Sequence, residues 1–380
     1  MYVFWVILQL TKIQKNCYLC NTKKTTVNCQ ISTVNQIEMS EISSLGEFGL
    51  INHLTENIKL VNPSSVKGVG DDAAVLDYTK NGKRVLVTTD LLLEGIHFDL
   101  TYVPLKHLGY KAVMVNLSDI YAMNGSPKQI TVSIGVSGKF QIEDIEELYA
   151  GMRLACERHG VDIVGGDTSA SVTGLTISIT CMGEGEEGKI VCRSGAKPND
   201  LICVSGNLGA AYMGLQLLER EKKVFAENGQ EGMQPDFAGK EYLLERQLKP
   251  EARKDIIEEL EKAGIVPNAM MDISDGLSSE LHHICKQSGV GCRIYEDKIP
   301  VDYETAVQAE EFNMNLMTVA LNGGEDYELL FTVPVSMHEK VNQIKGVKVI
   351  GYTTADANER VLVTPEGQEL ELKAQGWTGF

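Results

Sequence analysis

The sequence has no apolar run long enough to cross a bilayer, which takes about 20 residues. Its opening stretch, Met1–Leu10, is apolar but short, and it has neither the basic start nor the small-residue cleavage site of a signal peptide. A cytoplasmic protein with no membrane partner is the expectation. Positive charge is also in deficit. Thirty-five Lys and Arg face 52 Asp and Glu, a net charge of −17, and such a chain repels the phosphates of a nucleic acid. The nine cysteines are odd in number and follow no framework of spacings, which fits reduced thiols better than a disulfide scaffold. Cys17 and Cys20 form one C-x-x-C, but no second pair follows at zinc-site spacing, so coincidence outweighs a zinc or redox role. Several catalytic signatures are missing as well: the G-x-x-x-x-G-K-[ST] P-loop, the protein-kinase lysine and catalytic-loop set, a strand–G-x-G-x-x-G–helix unit, H-E-x-x-H and a defensible Ser-His-Asp set. No short-period repeat is visible, which removes solenoids and propellers.

Residues 1–40 contain no Gly and no Ala, whereas the whole chain has 36 Gly, the first being Gly46. Met39-Ser40-Glu41 reads as a natural start, so residues 1–38 are expected to be an appended, disordered or misassigned extension. The 380 residues, 43% hydrophobic and 23% charged, have the balance of a globular protein of two domains.

Strands are expected at Val85–Thr89 (ending at Asp90), Gln129–Val136, Val161–Val164, Leu175–Met182 and Leu201–Val204, and at 270–273, 327–333 and 347–352. Helical spacing runs from Pro104 to Ala122, from Ile142 to Arg158, from the turn at Ser205-Gly206-Asn207 through Leu218, and over 251–263, 276–287 and 303–312. The polar, glycine-containing stretch after Gly183 marks the boundary between an N-terminal domain, 39–185, and a C-terminal domain, 186–380. The charged stretch 221–238, broken by Gly and Pro, is expected to be an exposed insertion. Strands and helices mix throughout, so the fold class is α+β or mixed α/β.

Acidic residues carry the chemical signal. Asp71 and Asp72 lie in Gly68-Val69-Gly70-Asp71-Asp72, Asp90 closes Thr88-Thr89-Asp90, and Asp119 sits in an otherwise apolar helix. Asp167 follows Gly165-Gly166, Asp272 and Asp275 flank Ser274, and Glu325 and Asp326 follow Gly323-Gly324. Singly, an Asp at a strand end or before a helix is usually a turn former or an N-cap. A charge among helix-core residues is harder to dismiss, because it is seldom buried without a partner. If these carboxylates converge they cannot do so bare: two unit charges 4 Å apart repel by about 4 kcal/mol at an effective dielectric of 20. All-oxygen ligation of hard divalent cations (Mg²⁺, Mn²⁺ or Ca²⁺) relieves this, and such ions bridge carboxylates to nucleotide phosphates. Glycine pairs beside these motifs would let backbone amides approach phosphate oxygens. The lack of an evident general base fits a phosphate acceptor, which is largely dianionic at neutral pH and requires charge neutralisation and in-line placement instead.

The ordered run Gly68-Val69-Gly70-Asp71-Asp72, Val115-Asn116-Leu117-Ser118-Asp119, Gly165-Gly166-Asp167-Thr168, Arg193-Ser194-Gly195-Ala196-Lys197-Pro198, Asp272-Ile273-Ser274-Asp275-Gly276-Leu277 and Gly323-Gly324-Glu325-Asp326-Tyr327-Glu328-Leu329 resembles the thiamine-monophosphate kinase family over roughly residues 46–380. The resemblance implies ATP-dependent phosphorylation of thiamine monophosphate to thiamine diphosphate, by in-line transfer with several Mg²⁺. It also implies the two-domain fold of aminoimidazole-ribonucleotide synthetase, in which N-terminal sheets of a homodimer pair into a barrel. Carried over by motif, Asp72, Thr88, Thr89, Asp90, Asp119, Asp167, Asp272 and Asp275 look like metal ligands. Gly166, Asp167, Arg193 and Ser274 look like nucleotide contacts, and His97, Glu325 and Trp377 like substrate contacts.

Sibling enzymes of this fold are weaker matches. A selenophosphate synthetase would carry a reactive Cys or selenocysteine in a Gly-rich segment before Asp71, and a hydrogenase-maturation protein would end in Cys rather than Phe380. Purine-pathway synthetases would lack the Gly-Gly-Glu-Asp-Tyr-Glu-Leu stretch. A metal- or nucleotide-binding module that had lost turnover should also have lost some of these acids.

Overall fold

The computed structural model describes residue 55 and residues 60–374, apart from 62, 79–80 and 229–236. The expected extension, 1–38, and Trp377 lie outside the described residues. All described residues belong to one compact unit, built on two sheets.

The first half supplies β1 (Ser65–Lys67), β2 (Ala74–Leu76), β3 (Lys83–Leu93), α1 (Leu105–Ala122), β4 (Ser126–Val136), α2 (Ile142–His159), β5 (Asp162–Ala170) and β6 (Thr176–Glu186). The strands form one sheet in the order β1-β2-β3-β6-β4-β5. It is antiparallel except at the β4–β5 pair. Alternation along β6 buries Ile177, Ile179 and Cys181 against the helical layer. α1 is buried almost all round, from Leu108 to Ala122, as a helix apolar on every side must be. It crosses α2 backbone to backbone. A Cβ at Gly109 would stand 1.9 Å from the Leu148 carbonyl oxygen, and one at Gly151 would stand 1.9 Å from that of Lys106. α2 opens on a capping box between Gln141 and Asp144 and closes on left-handed Gly160.

The second half supplies β7 (Asp200–Ser205), α3 (Ala210–Asn228), α4 (Glu241–Leu248), α5 (Lys254–Lys262), β8 (Ala269–Asp272), α6 (Leu277–Ser288), β9 (Gly291–Tyr295), α7 (Tyr303–Glu311), α8 (Leu316–Asn322), β10 (Leu329–Pro334), α9 (His338–Val341), β11 (Val347–Thr354), β12 (Arg360–Val363) and β13 (Glu369–Glu371). Its sheet runs β13-β12-β9-β11-β7-β10-β8, and only the β12–β9 pair is parallel. Both faces are covered: Ile202 and Val204 of β7 join one apolar cluster and Cys203 the opposite one.

The expected elements recur within a few residues, but three differences matter. β3 does not end at Asp90 but runs to Leu93, so Asp90 lies inside a strand. Asp167 lies within β5, not at a strand end. The stretch expected as an insertion from 221 begins as helix, since α3 continues to Asn228. Its Glu, Lys and Ala are good helix formers; Lys222 pairs with Asp99 at 2.5 Å, and just before the stretch Glu219 accepts from the Tyr102 hydroxyl at 2.7 Å.

Candidate active site

α1 and β8 bring the two halves together. Oxygen atoms of Asp72 (before β2), Asp119 (last turn of α1) and Asp272 (end of β8) all lie within 4.8 Å of one another. Each is held by a neighbour. Thr88 Oγ1 donates to Asp119 Oδ2 at 2.5 Å, and Ser118 Oγ donates to Asp272 Oδ2 at 2.5 Å. Arg193 donates from Nη2 and Nε to Asp72 Oδ1, at 2.6 and 3.2 Å. Asp90 belongs to the same group of charges: it acts on Asp119 and on Asp272, and its backbone N–H donates to Asn116 Oδ1 at 3.2 Å.

This arrangement is electrostatically unfavourable as it stands. Burial raises the Asp72 carboxyl to about 7, with the Arg193 guanidinium opposing and Asp272 adding to the rise. Burial raises Asp90 to about 6, and Asp272 also to about 6 against its bond from Ser118. Asp119 is pushed well above the carboxylate range by burial and then by Asp90, Asp272 and Asp72. Oδ2 of Asp72 and Oδ2 of Asp90 are buried with no hydrogen-bond partner, a costly condition for a carboxylate oxygen. Orphaned oxygens in an all-carboxylate set fit a hard divalent cation such as Mg²⁺.

The other expected site residues distribute unevenly. Asp275 follows β8, half-buried, with its backbone N–H donating to Glu280 Oε1 at 3.0 Å. Thr89 faces the opposite side of β3 from Thr88, as strand alternation requires, and its hydroxyl donates to the Ile179 carbonyl at 3.0 Å. Gly166 and Asp167 lie exposed on the edge strand β5, outside the three-carboxylate group. A Cβ at Gly166 would stand 1.8 Å from the Val132 carbonyl oxygen, so that glycine is required for strand packing. Exposed His97 accepts at Nδ1 from the Leu93 N–H at 3.0 Å. The segment Gly324–Glu328 lies along the Asp272–Asp275 loop: Glu325 N–H donates to the Ser274 carbonyl at 2.7 Å and Tyr327 N–H to that of Ile273 at 2.9 Å. Glu325 and Tyr327 take left-handed φ values of 63° and 51°, local strain of the kind that collects at functional sites.

Two family models match, described as AIR synthase related protein, N-terminal domain, over residues 70–184, and AIR synthase related protein, C-terminal domain, over residues 197–364. Asp72, Asp90 and Asp119 fall in the first match, and Asp272, Asp275 and Glu325 in the second. The chain is 36% identical to a thiamine-monophosphate kinase of Aquifex aeolicus, over 89% of its own length and 99% of the relative's. The chain belongs to the thiamine-monophosphate kinase family. Membership makes it a kinase. A Bacillus subtilis thiamine-monophosphate kinase is 33% identical, over 88% of this chain and 100% of the relative. A solved structure described as AaThiL complexed with AMPPCP and TMP superposes with a TM-score of 0.75 at 35% identity, covering 90% of this chain and 100% of its own.

Some residues of this thiamine-monophosphate kinase family member escaped the sequence reading. Lys111, 5% exposed, pairs with Glu325 Oε1 at 2.8 Å; a charge in an apolar helix, the signal that marked Asp119, also marks Lys111. Glu328 is buried between two guanidiniums, Arg246 at 3.1 Å and Arg253, and accepts from Ser205 Oγ at 2.5 Å. Arg246 lies in ordinary charged helix sequence and Arg253 just before another such helix, and neither context carries such a signal.

Proposed function

We propose that the protein uses ATP to phosphorylate thiamine monophosphate, giving thiamine diphosphate by direct in-line transfer as the final step of thiamine diphosphate biosynthesis, in the cytoplasm. The observation that carries this reading is the convergence of Asp72, Asp119 and Asp272 from three separate segments of the chain, in a chain whose relatives bear that activity in their names.

When bound, Mg²⁺ ions held by Asp72, Asp90, Asp119 and Asp272, with Asp275 beside them, would neutralise charge on the phosphate oxygens. Thr88 and Ser118 keep the carboxylates of Asp119 and Asp272 in fixed rotamers through their hydrogen bonds. Arg193, resting on Asp72, offers a cation at the cluster to a nucleotide phosphate, with Ser274 and Gly166 as further nucleotide contacts. Glu325 and His97 face the acceptor in this reading. No residue is assigned as general base, since the acceptor's phosphate is already largely ionised near neutral pH. Residues 39–185 then supply most of the metal and ATP site, and 186–380 the phosphate and substrate contacts.

A homodimer completes the proposal. The face of the first sheet opposite α1 leaves Leu91 52% exposed, and Val164 on edge strand β5 is 55% exposed. Among the described residues β1 and β5 are its two edges, and the sheet does not close on itself there. This surface suits pairing with a second copy into a barrel, which sedimentation or light scattering would report as a dimer.

The test incubates the full-length chain with ATP, MgCl₂ and thiamine monophosphate and separates the thiamine species by chromatography. Thiamine diphosphate is expected, with stoichiometric ADP, and neither without Mg²⁺ nor from free thiamine. Folded protein that binds ATP and forms no diphosphate would sink the substrate assignment.

A further inference from the structure

We propose that Lys111 is a positioning residue for the phosphate acceptor, acting through Glu325; this rests on the reading of Glu325 as an acceptor contact. Both oxygens of the Glu325 carboxylate are held from inside the protein. Lys111 Nζ lies 2.8 Å from Oε1, and Gln247 Nε2 donates to Oε2 at 2.8 Å. The ammonium is itself anchored, donating to the Gln247 carbonyl at 3.1 Å. The Lys111 side chain is only 6% exposed, whereas that of Glu325 remains 31% exposed. A carboxylate has about four lone-pair sites, so the open edge of Glu325 is still free to accept from an N–H of the acceptor's heterocycle or to face its cationic ring.

The backbone makes this arrangement sensitive. Glu325 has φ of 63°, and a Cβ at Gly324 would stand 2.4 Å from the Ser274 carbonyl oxygen. The segment therefore has no slack against the loop that leads from Asp272 to Asp275. Lys111 and Asp119 lie on the same helix α1, about 12 Å apart along its axis. One buried helix thus carries a metal-site carboxylate near its end and the tether of the acceptor-site carboxylate two turns earlier. A merely structural Lys111 would neutralise Glu325 without any consequence for acceptor binding.

The experiment compares wild type, Lys111→Met, Glu325→Gln and the double variant, all full length, by steady-state kinetics and thermal melting. Lys111→Met is expected to raise KM for thiamine monophosphate about tenfold while KM for ATP stays within about twofold, the signature of lost acceptor placement. Lys111→Arg, which keeps the charge but changes the donor geometry, should recover part of the loss. In the double variant KM should equal that of Glu325→Gln alone, because Lys111 acts through that carboxylate. Lys111→Met with unchanged acceptor KM, or with equal losses for ATP and acceptor, would overturn the inference. Should Lys111→Met not fold, the double variant has no charge left at the pair, and a KM above that of Glu325→Gln would overturn it equally. Wild type without diphosphate production would instead reject the activity itself, which keeps the two failures apart.

Discussion

Ser118 Oγ donates a 2.5 Å hydrogen bond to Asp272 Oδ2, tying the last turns of the central helix to the end of a strand in the other sheet. The bond steadies a carboxylate that burial disfavours. Ser118→Ala should leave Asp272 less readily ionised, since a hydrogen bond to a charged group contributes about 1.5–3 kcal/mol. The expected result is a roughly tenfold higher Mg²⁺ requirement at neutral pH, measured by titrating Mg²⁺ against activity. An unchanged requirement would show that the bond has no part in the site.

Asp119→Asn separates stability from function. It removes one of four mutually repelling buried carboxylates and keeps an oxygen that can accept from Thr88. Activity should fall by about a thousandfold or more, as expected when metal-dependent charge stabilisation is lost. The metal-free protein should melt higher than wild type, a trade-off common at active sites. A lower melting temperature in EDTA would contradict the repulsion argument.

Burial raises the carboxyls of Asp72, Asp90 and Asp272 from 3.8 to about 7, 6 and 6. A carboxyl raised in this way binds more protons folded than unfolded throughout that interval, so its contribution to stability falls as pH rises. The metal-free protein should therefore lose thermal stability between about pH 4 and pH 7 on account of these groups. Added Mg²⁺ should raise the melting temperature more at pH 7.5 than at pH 5, because the ligands must be deprotonated. Melting curves across pH, with EDTA or with MgCl₂, decide this; a Mg²⁺ effect independent of pH would refute it.

Gly109 and Gly151 let α1 and α2 touch backbone to backbone, with a Cβ on either meeting a carbonyl oxygen at 1.9 Å. Neither helix can yield without moving its sheet contacts, so Gly109→Ala and Gly151→Ala should each cost about 3 kcal/mol, the upper range for overpacking. Urea denaturation measures this. Because α1 carries Asp119, Ser118 and Lys111, activity should fall even in the folded fraction.

Much of the fold was legible because its signals are local. Alternation in Leu175–Met182 and helical spacing before Ala122 come from the few residues on either side, and both elements formed as expected, β6 and α1. The tail of α3 is hidden in the sequence because Gly and Pro further on suggest a break across the whole charged stretch, although good helix formers precede them. The β-branched run Val85–Thr89 stops at Asp90, but the strand continues through it to Leu93, because the face that Asp90 enters gathers carboxylates rather than apolar side chains.

The site was only partly legible. Thr88 and Thr89 differ by one position, and the sequence says that they face opposite ways but not which of them meets Asp119. Lys111 and Glu325 are far apart in the chain, and no local pattern pairs them.

By itself, then, the sequence determined the family motifs, the acidic balance of the chain, and most strands and helices, since each depends on composition or on neighbours in the chain. Only the tertiary structure decided which carboxylates share one point, that Asp167 stands apart from them among the described residues, and that a buried lysine holds Glu325. Those are long-range relations, set by how two sheets pack on one buried helix, and charge and burial act through space rather than along the chain.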